Sequence, residues 1–263
     1  MGHQREATLP RTRAWKQVIE LIEVGGNAAQ IAAGTIRAAE DVFDRVGTDQ
    51  GVIVVVSMLA HLPIAARSDD FARALRLIGL AVGDAPKLIE ITTAFSEGVD
   101  AGLFSEKIRR TDLGEIAQLS AVEAITETIT SSTISLFGCT AHDVRQGFAG
   151  LNTVVRFGEF MRRFFSRLML RLMNSFLSRV MSDHVGTDRR FTTVHQEREF
   201  AAAIETHSEQ SARIIEQFAG QWFSKAKFNN DGGIPRSSVA GFTRKAMEKL
   251  TKELKRGAQS HGK

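Results

Sequence analysis

The clearest pattern of hydrophobic and polar positions lies between residues 160 and 183, where the sequence repeats every four residues. The blocks are FMRR, FFSR, LMLR, LMNS, FLSR and VMSD, and the first two positions of each block are apolar. Because an α-helix turns by about 100° per residue, this repeat moves the apolar stripe by roughly 40° per block. A winding stripe is typical of a core helix with different neighbours along its length. The pattern therefore predicts that the first residue of every block is buried: Phe160, Phe164, Leu168, Leu172, Phe176 and Val180.

Arginine ends four of these blocks, at Arg163, Arg167, Arg171 and Arg179. Basic side chains beside an apolar stripe also occur on helices that lie on anionic membranes or bind phosphate. A helix on a flat bilayer needs one constant apolar face, so the winding stripe favours the core helix over these alternatives. The arginine stems can cover apolar surface while their guanidinium groups reach acidic partners.

A second periodic segment follows after a short turn. Positions that share one helix face continue from Phe191 to Trp222 at spacings of three, four and seven. Since a short turn usually joins antiparallel helices, residues 153–226 are predicted to form a long helical hairpin, whose second arm can contain one break. At the turn, we expect Gly186 to end the first helix in the left-handed conformation and Thr187 to cap the next helix.

The same turn chemistry occurs earlier in the chain. The hexapeptides 44–49 and 183–188 agree at five of six positions, and both contain Gly-Thr-Asp. Because their flanks do not align, we interpret them as shared turn chemistry and not as a duplication. Gly47 and Thr48 are accordingly expected to end one helix and to cap the next.

The composition supports a mainly α fold. The 263 residues include four prolines and no tyrosine, and 43% of them are hydrophobic. Many Ala, Leu, Arg, Glu and Ile residues favour long helices over a sheet rich in turns. The sequence therefore predicts a mainly α multi-helix bundle that contains the hairpin 153–226 and a basic C-terminal helix.

Charge is unevenly distributed along the chain. Residues 1–150 carry 14 Lys and Arg against 19 Asp and Glu, whereas residues 151–263 carry 20 against 11. This division indicates either a basic surface for phosphate-rich or acidic partners, or two oppositely charged halves that lie against each other and against neighbouring subunits. We therefore distinguish an acidic helical half, 1–150, from a basic half, 151–263, within one domain or two.

The basic half ends in a predicted helix from about Ser237 to Arg256. Its apolar side would contain Phe242, Ala246, Leu250 and Leu254. The ordinary interpretation of the other, basic side is that its lysines are solvated and have no partner. The functional interpretation is that this side contacts nucleic acid or an acidic protein. Nucleic-acid contact would be electrostatic, because no base-reading motif accompanies the charge. The candidate binding residues are Arg244, Lys245, Lys249, Lys252, Lys255 and Arg256.

Catalytic and cofactor motifs are incomplete. The single cysteine, Cys139, has a histidine three residues away at His142, and we interpret it as structural. His195 and Glu199 have the i, i+4 spacing that could place two metal ligands together, but no Glu-x-x-His or His-Glu-x-x-His motif accompanies them. No P-loop or dinucleotide-binding motif occurs. We expect a non-catalytic protein without a metal or another cofactor; a metal-dependent hydrolase using His195 and Glu199 is an alternative.

The apolar segment 50–66 is the second candidate for membrane contact. It is shorter than the roughly 20 residues of a membrane span and contains His61 and Pro63, so a buried helix is favoured. No apolar region follows the first basic residues, so no secretory signal is expected. These features predict a cytoplasmic, non-catalytic helical subunit or adaptor with a protein partner or further copies of itself. The alternative is a membrane-active protein that inserts segments 50–66 and 160–181.

Overall fold

The structure is a computed structural model that describes residues 12–132, 140–187, 189–230 and 232–260, without the side chains of residues 179, 182 and 257–260. Apart from one isolated bridge between Val185 and Phe191, these ranges contain no β-structure. The predicted mainly α multi-helix bundle is thus confirmed. The α-helices of the described residues are α1 (Arg13–Glu23), α2 (Ala28–Ala38), α3 (Glu40–Val46), α4 (Gln50–Ala65), α5 (Phe71–Leu77), α6 (Leu88–Ser105), α7 (Asp112–Ser132), α8 (Ala141–Gly150), α9 (Val154–Met181), α10 (Val194–Ser211), α11 (Arg213–Asn229) and α12 (Arg236–Ser260).

The first Gly-Thr-Asp turn differs from its prediction. Gly47 has a right-handed backbone with φ −66°. Asp49, not Thr48, caps α4 by accepting the amide of Val52 at 3.0 Å, while Thr48 donates its hydroxyl to the carbonyl of Arg45. The expectation for Thr48 was wrong because the Asp49 carboxylate lies one residue nearer to the free amides and its charge suits the positive helix end.

The second turn also begins and ends elsewhere than predicted. The α-helix α9 ends at Met181, and a 3-10 turn follows it. Gly186 has the expected positive φ, +137°, but it lies inside the loop and does not end the helix. Thr193, not Thr187, caps α10 by accepting a helix amide at 3.3 Å. Asp188, the last residue of the repeated hexapeptide, falls outside the described residues.

Phe191 explains this longer loop. Its side chain is buried, its amide donates to the carbonyl of His184 at 3.0 Å, and its carbonyl accepts the amide of Gly186 at 2.8 Å. These two bonds hold His184 and Gly186 against Phe191, so the next helix starts only after Phe191 has been anchored in the core.

The predicted hairpin is present, with a break at Ala212 between α10 and α11. Helix α9 runs antiparallel to the second arm, because Gly158 faces Glu216 and Val154 faces Gly220. A Cβ added to Gly158 would lie 2.1 Å from the Glu216 carbonyl oxygen, and a Cβ added to Gly220 would lie 2.0 Å from the Val154 carbonyl oxygen. Only glycine, which has no Cβ, permits backbones to approach this closely.

The core is one apolar cluster that draws side chains from every helix, α1 to α12. Helix α9 crosses its interior, in contact with α2, α7, α10 and α11. Within the cluster, Phe157 stacks on Phe223 with 3.8 Å between ring centroids. The predicted burial of the α9 repeat is confirmed, with each first-position residue at most 5% exposed: Phe160, Phe164, Leu168, Leu172, Phe176 and Val180.

The apolar segment 50–66 forms α4, and 12 of the 16 residues of this helix are buried. Helix α4 packs against α5, α6, α7, α8 and α12. None of the described helices by itself has the length and hydropathy of a membrane span; α3 and α4 reach those values only when taken together, as a pair bent by 44°. Inserting α4 into a bilayer would therefore require its release from five helices.

Candidate functional site

The arginine row of α9 faces acidic helices of the same chain. The Arg167 guanidinium lies between α7 and α10, and its side chain is 17% exposed. From α7, Glu127 and Glu123 approach it at 2.7 and 3.2 Å. From α10, Glu205 pairs with it directly and Glu209 lies 4.0 Å away. Four carboxylates thus surround one guanidinium.

This arrangement shifts the pKa of Arg167. Burial lowers the pKa of the guanidinium because it penalises the charged form. The hydrogen bond to Glu205 and the charges of Glu127 and Glu123 outweigh burial, so the pKa of Arg167 is raised above its ordinary value. Arg167 therefore stays charged and holds α7 and α10 against α9.

The neighbouring arginines extend the same charged layer. Arg171 pairs with Glu123 at 2.8 Å, and Arg163 donates to two hydroxyl groups of α7 at 3.2 Å. The side chain of Arg179 falls outside the described residues. A phosphate could reach Arg167 and Arg171 only after their ion pairs within the chain had broken, which argues against a phosphate site on α9.

Two further pairs join the acidic and the basic halves of the chain. Arg236 pairs with Glu106, and Lys255 pairs with Glu40. Like the pairs that Arg167 forms with α7, they match a cation from residues 151–263 with a carboxylate from residues 1–150. Part of the uneven charge along the sequence is therefore used in contacts between the two halves.

Helix α12 carries the predicted basic face. Its apolar side is at most 2% exposed and contains Phe242, Ala246, Leu250 and Leu254. On the opposite side, Lys249 and Lys255 are half-buried. The other four predicted cations are exposed: Arg244, Lys245, Lys252 and Arg256.

The structure divides these cations by their contacts. Lys255 is occupied by Glu40 of α3, and the Lys249 ammonium lies over the Phe218 ring, 5.3 Å from its centroid. Neither Arg244 nor Lys252 makes a hydrogen bond or ion pair with any residue that the structure describes. Arg244 and Lys252 are therefore the cations of this face that are most available to a partner.

Two exposed pairs lie on the same helix. Lys245 pairs with Glu248 at 2.7 Å, and Arg256 lies 3.9 Å from Glu253. The hydrogen bond from Lys245, followed by its charge, lowers the pKa of the Glu248 carboxyl. Exposed ion pairs of this kind contribute little to stability, so a partner carboxylate can replace Glu248 or Glu253.

A groove of about 190 Å³ separates α12 from the start of α11. Ile214, 40% exposed, is its apolar member. The groove combines four cations, two carboxylates and this one aliphatic side chain: Lys245, Lys249, Lys252, Arg256, Glu248, Glu253 and Ile214. Four of the six predicted binding residues therefore converge on this groove, whereas Arg244 and Lys255 do not line it.

Comparison of the chain with protein-family models, with curated proteins and with solved structures gave no match.

Among the described residues, no further ligand joins the candidate metal ligands His195 and Glu199. The His195 Nδ1 atom lies 3.5 Å from a Glu199 carboxylate oxygen, and both side chains are largely exposed. Across the described ranges, no three His, Cys, Asp or Glu side chains are grouped so as to hold a metal ion. Two ligands without converging partners do not form a stable site. Cys139 lies outside the described residues.

The carboxylates around Arg167 were missed from the sequence, although a signal for them exists. Glu123 and Glu127 are four residues apart, as are Glu205 and Glu209. This spacing puts each pair on one helix face, and it matches the four-residue spacing of the arginines in α9. Matching periods of opposite charge would have indicated that the row is neutralised within the chain.

Proposed function

We propose that the protein is a non-catalytic helical subunit or adaptor that docks the outer face of α12 against an acidic surface of a protein partner. The observation that carries this proposal is the contrast between two sets of cations. Arg167 and Arg171 of α9 are neutralised by carboxylates of the same chain. On α12, in contrast, four cations converge on a groove open to solvent. Cations that line a solvent-exposed groove, with only exposed ion pairs or a ring contact as partners, are suited to attract an acidic surface.

The composition of the groove favours a protein over a phosphate backbone. Glu248 and Glu253 interrupt the cations, and Ile214 adds an exposed apolar contact. Protein interfaces combine apolar contacts with charges of both signs, whereas nucleic-acid binding depends on phosphates neutralised by Lys and Arg. An acidic protein surface with an apolar centre complements this groove better.

Nucleic acid is the second candidate, because Lys245, Lys249, Lys252 and Arg256 form one stripe along α12. The stripe is about 16 Å long at 1.5 Å of rise per residue. A nucleic acid would use these side chains as positioning contacts on phosphates, with little dependence on base sequence.

The test measures binding of three labelled probes at low and at physiological salt: a poly-glutamate peptide, a DNA duplex and a DNA single strand. The wild type is compared with a variant in which Lys245, Lys249, Lys252 and Arg256 are replaced by Glu. We expect the wild type to bind poly-glutamate, the affinity to fall as salt rises, and the variant to lose binding while it keeps its helical circular dichroism.

A matched control separates the groove from overall charge. Replacing Arg13, Lys16, Arg73 and Lys87 by Glu alters exposed cations elsewhere. Each substitution of Lys or Arg by Glu lowers the net charge by two, so the four substitutions in either variant change it from +4 to −4. The control should retain poly-glutamate binding. Absence of poly-glutamate binding by the wild type at low salt overturns the protein-partner proposal, and tighter binding of DNA than of poly-glutamate selects the second candidate.

A further inference from the structure

A second concave site lies between α4 and α6, and it shares no residue with the α12 groove. Its volume is about 560 Å³, which falls within the roughly 300–1,000 Å³ typical of small-molecule sites. Val54 and Met58 of α4 form one wall, and α6 forms the other. Ile234 and Arg236, at the start of α12, close one end.

The space exists because α6 presents small side chains to α4. At Gly98 the walls are close, since an added Cβ would lie 3.0 Å from the Met58 Cε atom. At Gly102 they diverge, and an added Cβ would meet only the Val54 Cγ1 atom, at 3.7 Å. The small residues of α6 that line the site are Gly98, Ala101, Gly102 and Ser105.

The interior of the cavity is mainly apolar. Val54 and Met58 are 8% exposed and Ile234 is 5% exposed. These side chains line the cavity without filling it, so they lack the dispersion contacts that a packed core would give them. An apolar ligand would supply those contacts and remove the lining from water.

The rim restricts the charge of the ligand. Its two charged side chains, Arg236 and Glu106, pair with each other, and Arg236 also donates to the Gln50 side chain at 3.2 Å. A charged ligand would have to break this pair or lie beside a like charge, and either arrangement is unfavourable. A hydroxyl or carbonyl group can instead hydrogen-bond at the rim without disturbing the pair.

We infer that this cavity binds an uncharged, mainly apolar small molecule that carries a hydroxyl or carbonyl group at one end. The apolar body would lie along Val54 and Met58, and the polar end would face Arg236. This site is independent of the proposed docking function of α12.

The test uses the uncharged fluorescent probe N-phenyl-1-naphthylamine and the full chain. The wild type should bind it saturably, with one probe per chain, and 1-decanol should displace it. Decanoate and decylamine have the same chain length but carry a charge, and each should displace the probe about tenfold less effectively. Equal displacement by decanoate or decylamine would contradict the inference about charge.

Filling the cavity tests its location. In Gly102→Leu, the new side chain would occupy the space beside Val54 and weaken probe binding about tenfold or more. Gly150→Leu is the matched control, because an added Cβ there meets no heavy atom within 4 Å, and it should bind like the wild type. Ala101→Trp, at the exposed mouth, provides a second block should Gly102→Leu not fold. No saturable binding by the wild type, or undiminished binding by the folded blocked variants, overturns the proposal.

Discussion

At the scale of the single residue, Arg167 shows how the chain uses positive charge inside the fold. Its guanidinium compensates carboxylates from two other helices, and the side chains of those residues are 33% to 55% exposed. Water therefore screens part of their mutual repulsion, but it cannot replace the central cation. Stability should consequently depend on Arg167 more than on any single carboxylate around it.

Replacing Arg167 by Gln should destabilise the protein by about 2 kcal/mol, because it leaves neighbouring carboxylates without their common cation. The figure lies below that for fully buried pairs because these carboxylates are partly exposed. Urea unfolding followed by circular dichroism measures the change.

A double-mutant cycle with Glu205→Gln tests the cause of that loss. Removing one carboxylate should relieve repulsion, so the double variant should lose less stability than the sum of the two single variants. Strict additivity, or an Arg167→Gln variant as stable as the wild type, would show that this charge cluster does not hold the helices together.

The capping box of α8 yields a prediction on pH. Both the hydroxyl and the amide of Thr140 donate to the Asp143 carboxylate, at 2.7 and 2.9 Å. The side-chain bond, followed by the backbone bond, lowers the pKa of Asp143 below its ordinary value. A lowered folded-state pKa stabilises the protein above the ordinary pKa of Asp, and this contribution is lost as the pH falls through the folded-state pKa.

Thr140→Val should therefore raise the pKa of Asp143 towards its ordinary value, as measured by NMR titration of the carboxyl carbon. The stability difference between wild type and variant should shrink as the solution is acidified. An Asp143 pKa that does not move in the variant would assign the shift to another cause.

At the scale of the helix, the contact between α9 and α11 depends on backbone proximity. Gly220→Ala would place a Cβ 2.0 Å from a carbonyl oxygen of α9, and a backbone atom cannot move aside as a flexible side chain can. We expect a loss of about 3 kcal/mol in the free energy of unfolding, measured by urea denaturation.

Gly241→Ala in α12 is the control for that substitution, because an added Cβ there meets no heavy atom within 4 Å. Alanine is the better helix former, so this variant should gain about 0.5–1 kcal/mol. Similar effects of the two substitutions would mean that helix propensity, and not the close approach of α9 and α11, determines the role of Gly220.

Helices with a strong pattern were predictable from the sequence, whereas the turns were not. The four-residue repeat correctly predicted which side chains of α9 are buried, because an apolar stripe that winds around a helix can be covered only by several neighbouring helices. The shared Gly-Thr-Asp sequence wrongly predicted the same conformation for both turns, since Gly47 and Gly186 have φ values of opposite sign. That difference is set by tertiary anchors such as Phe191, which lie outside the repeated hexapeptide.

At the scale of the whole molecule, the positions of the charged residues were predictable from the sequence, but the partners of those residues were not. The face of α12 followed from helical periodicity, and its exposed cations lie where they were expected. The internal pairing of Arg167 could not be derived from its own segment, because its carboxylates come from α7 and α10, far away in the sequence. The α4–α6 cavity likewise depends on helix divergence, which no single segment encodes.

The central claim is that the α9 cations stabilise the fold while the α12 cations bind a partner, and two matched variants test it directly. One replaces Arg163, Arg167 and Arg171 by Gln, and the other replaces Lys249, Lys252 and Arg256 by Gln. The measurement is the salt concentration that elutes each folded protein from immobilised poly-glutamate, together with its melting temperature.

The α12 variant should elute at lower salt than the wild type with a nearly unchanged melting temperature. The α9 variant should elute like the wild type but melt about 5 °C lower or more, as expected for a loss of about 2 kcal/mol in a chain of this size. Equal loss of retention in both variants, or a wild type that poly-glutamate does not retain, would contradict the division of charge between fold and partner.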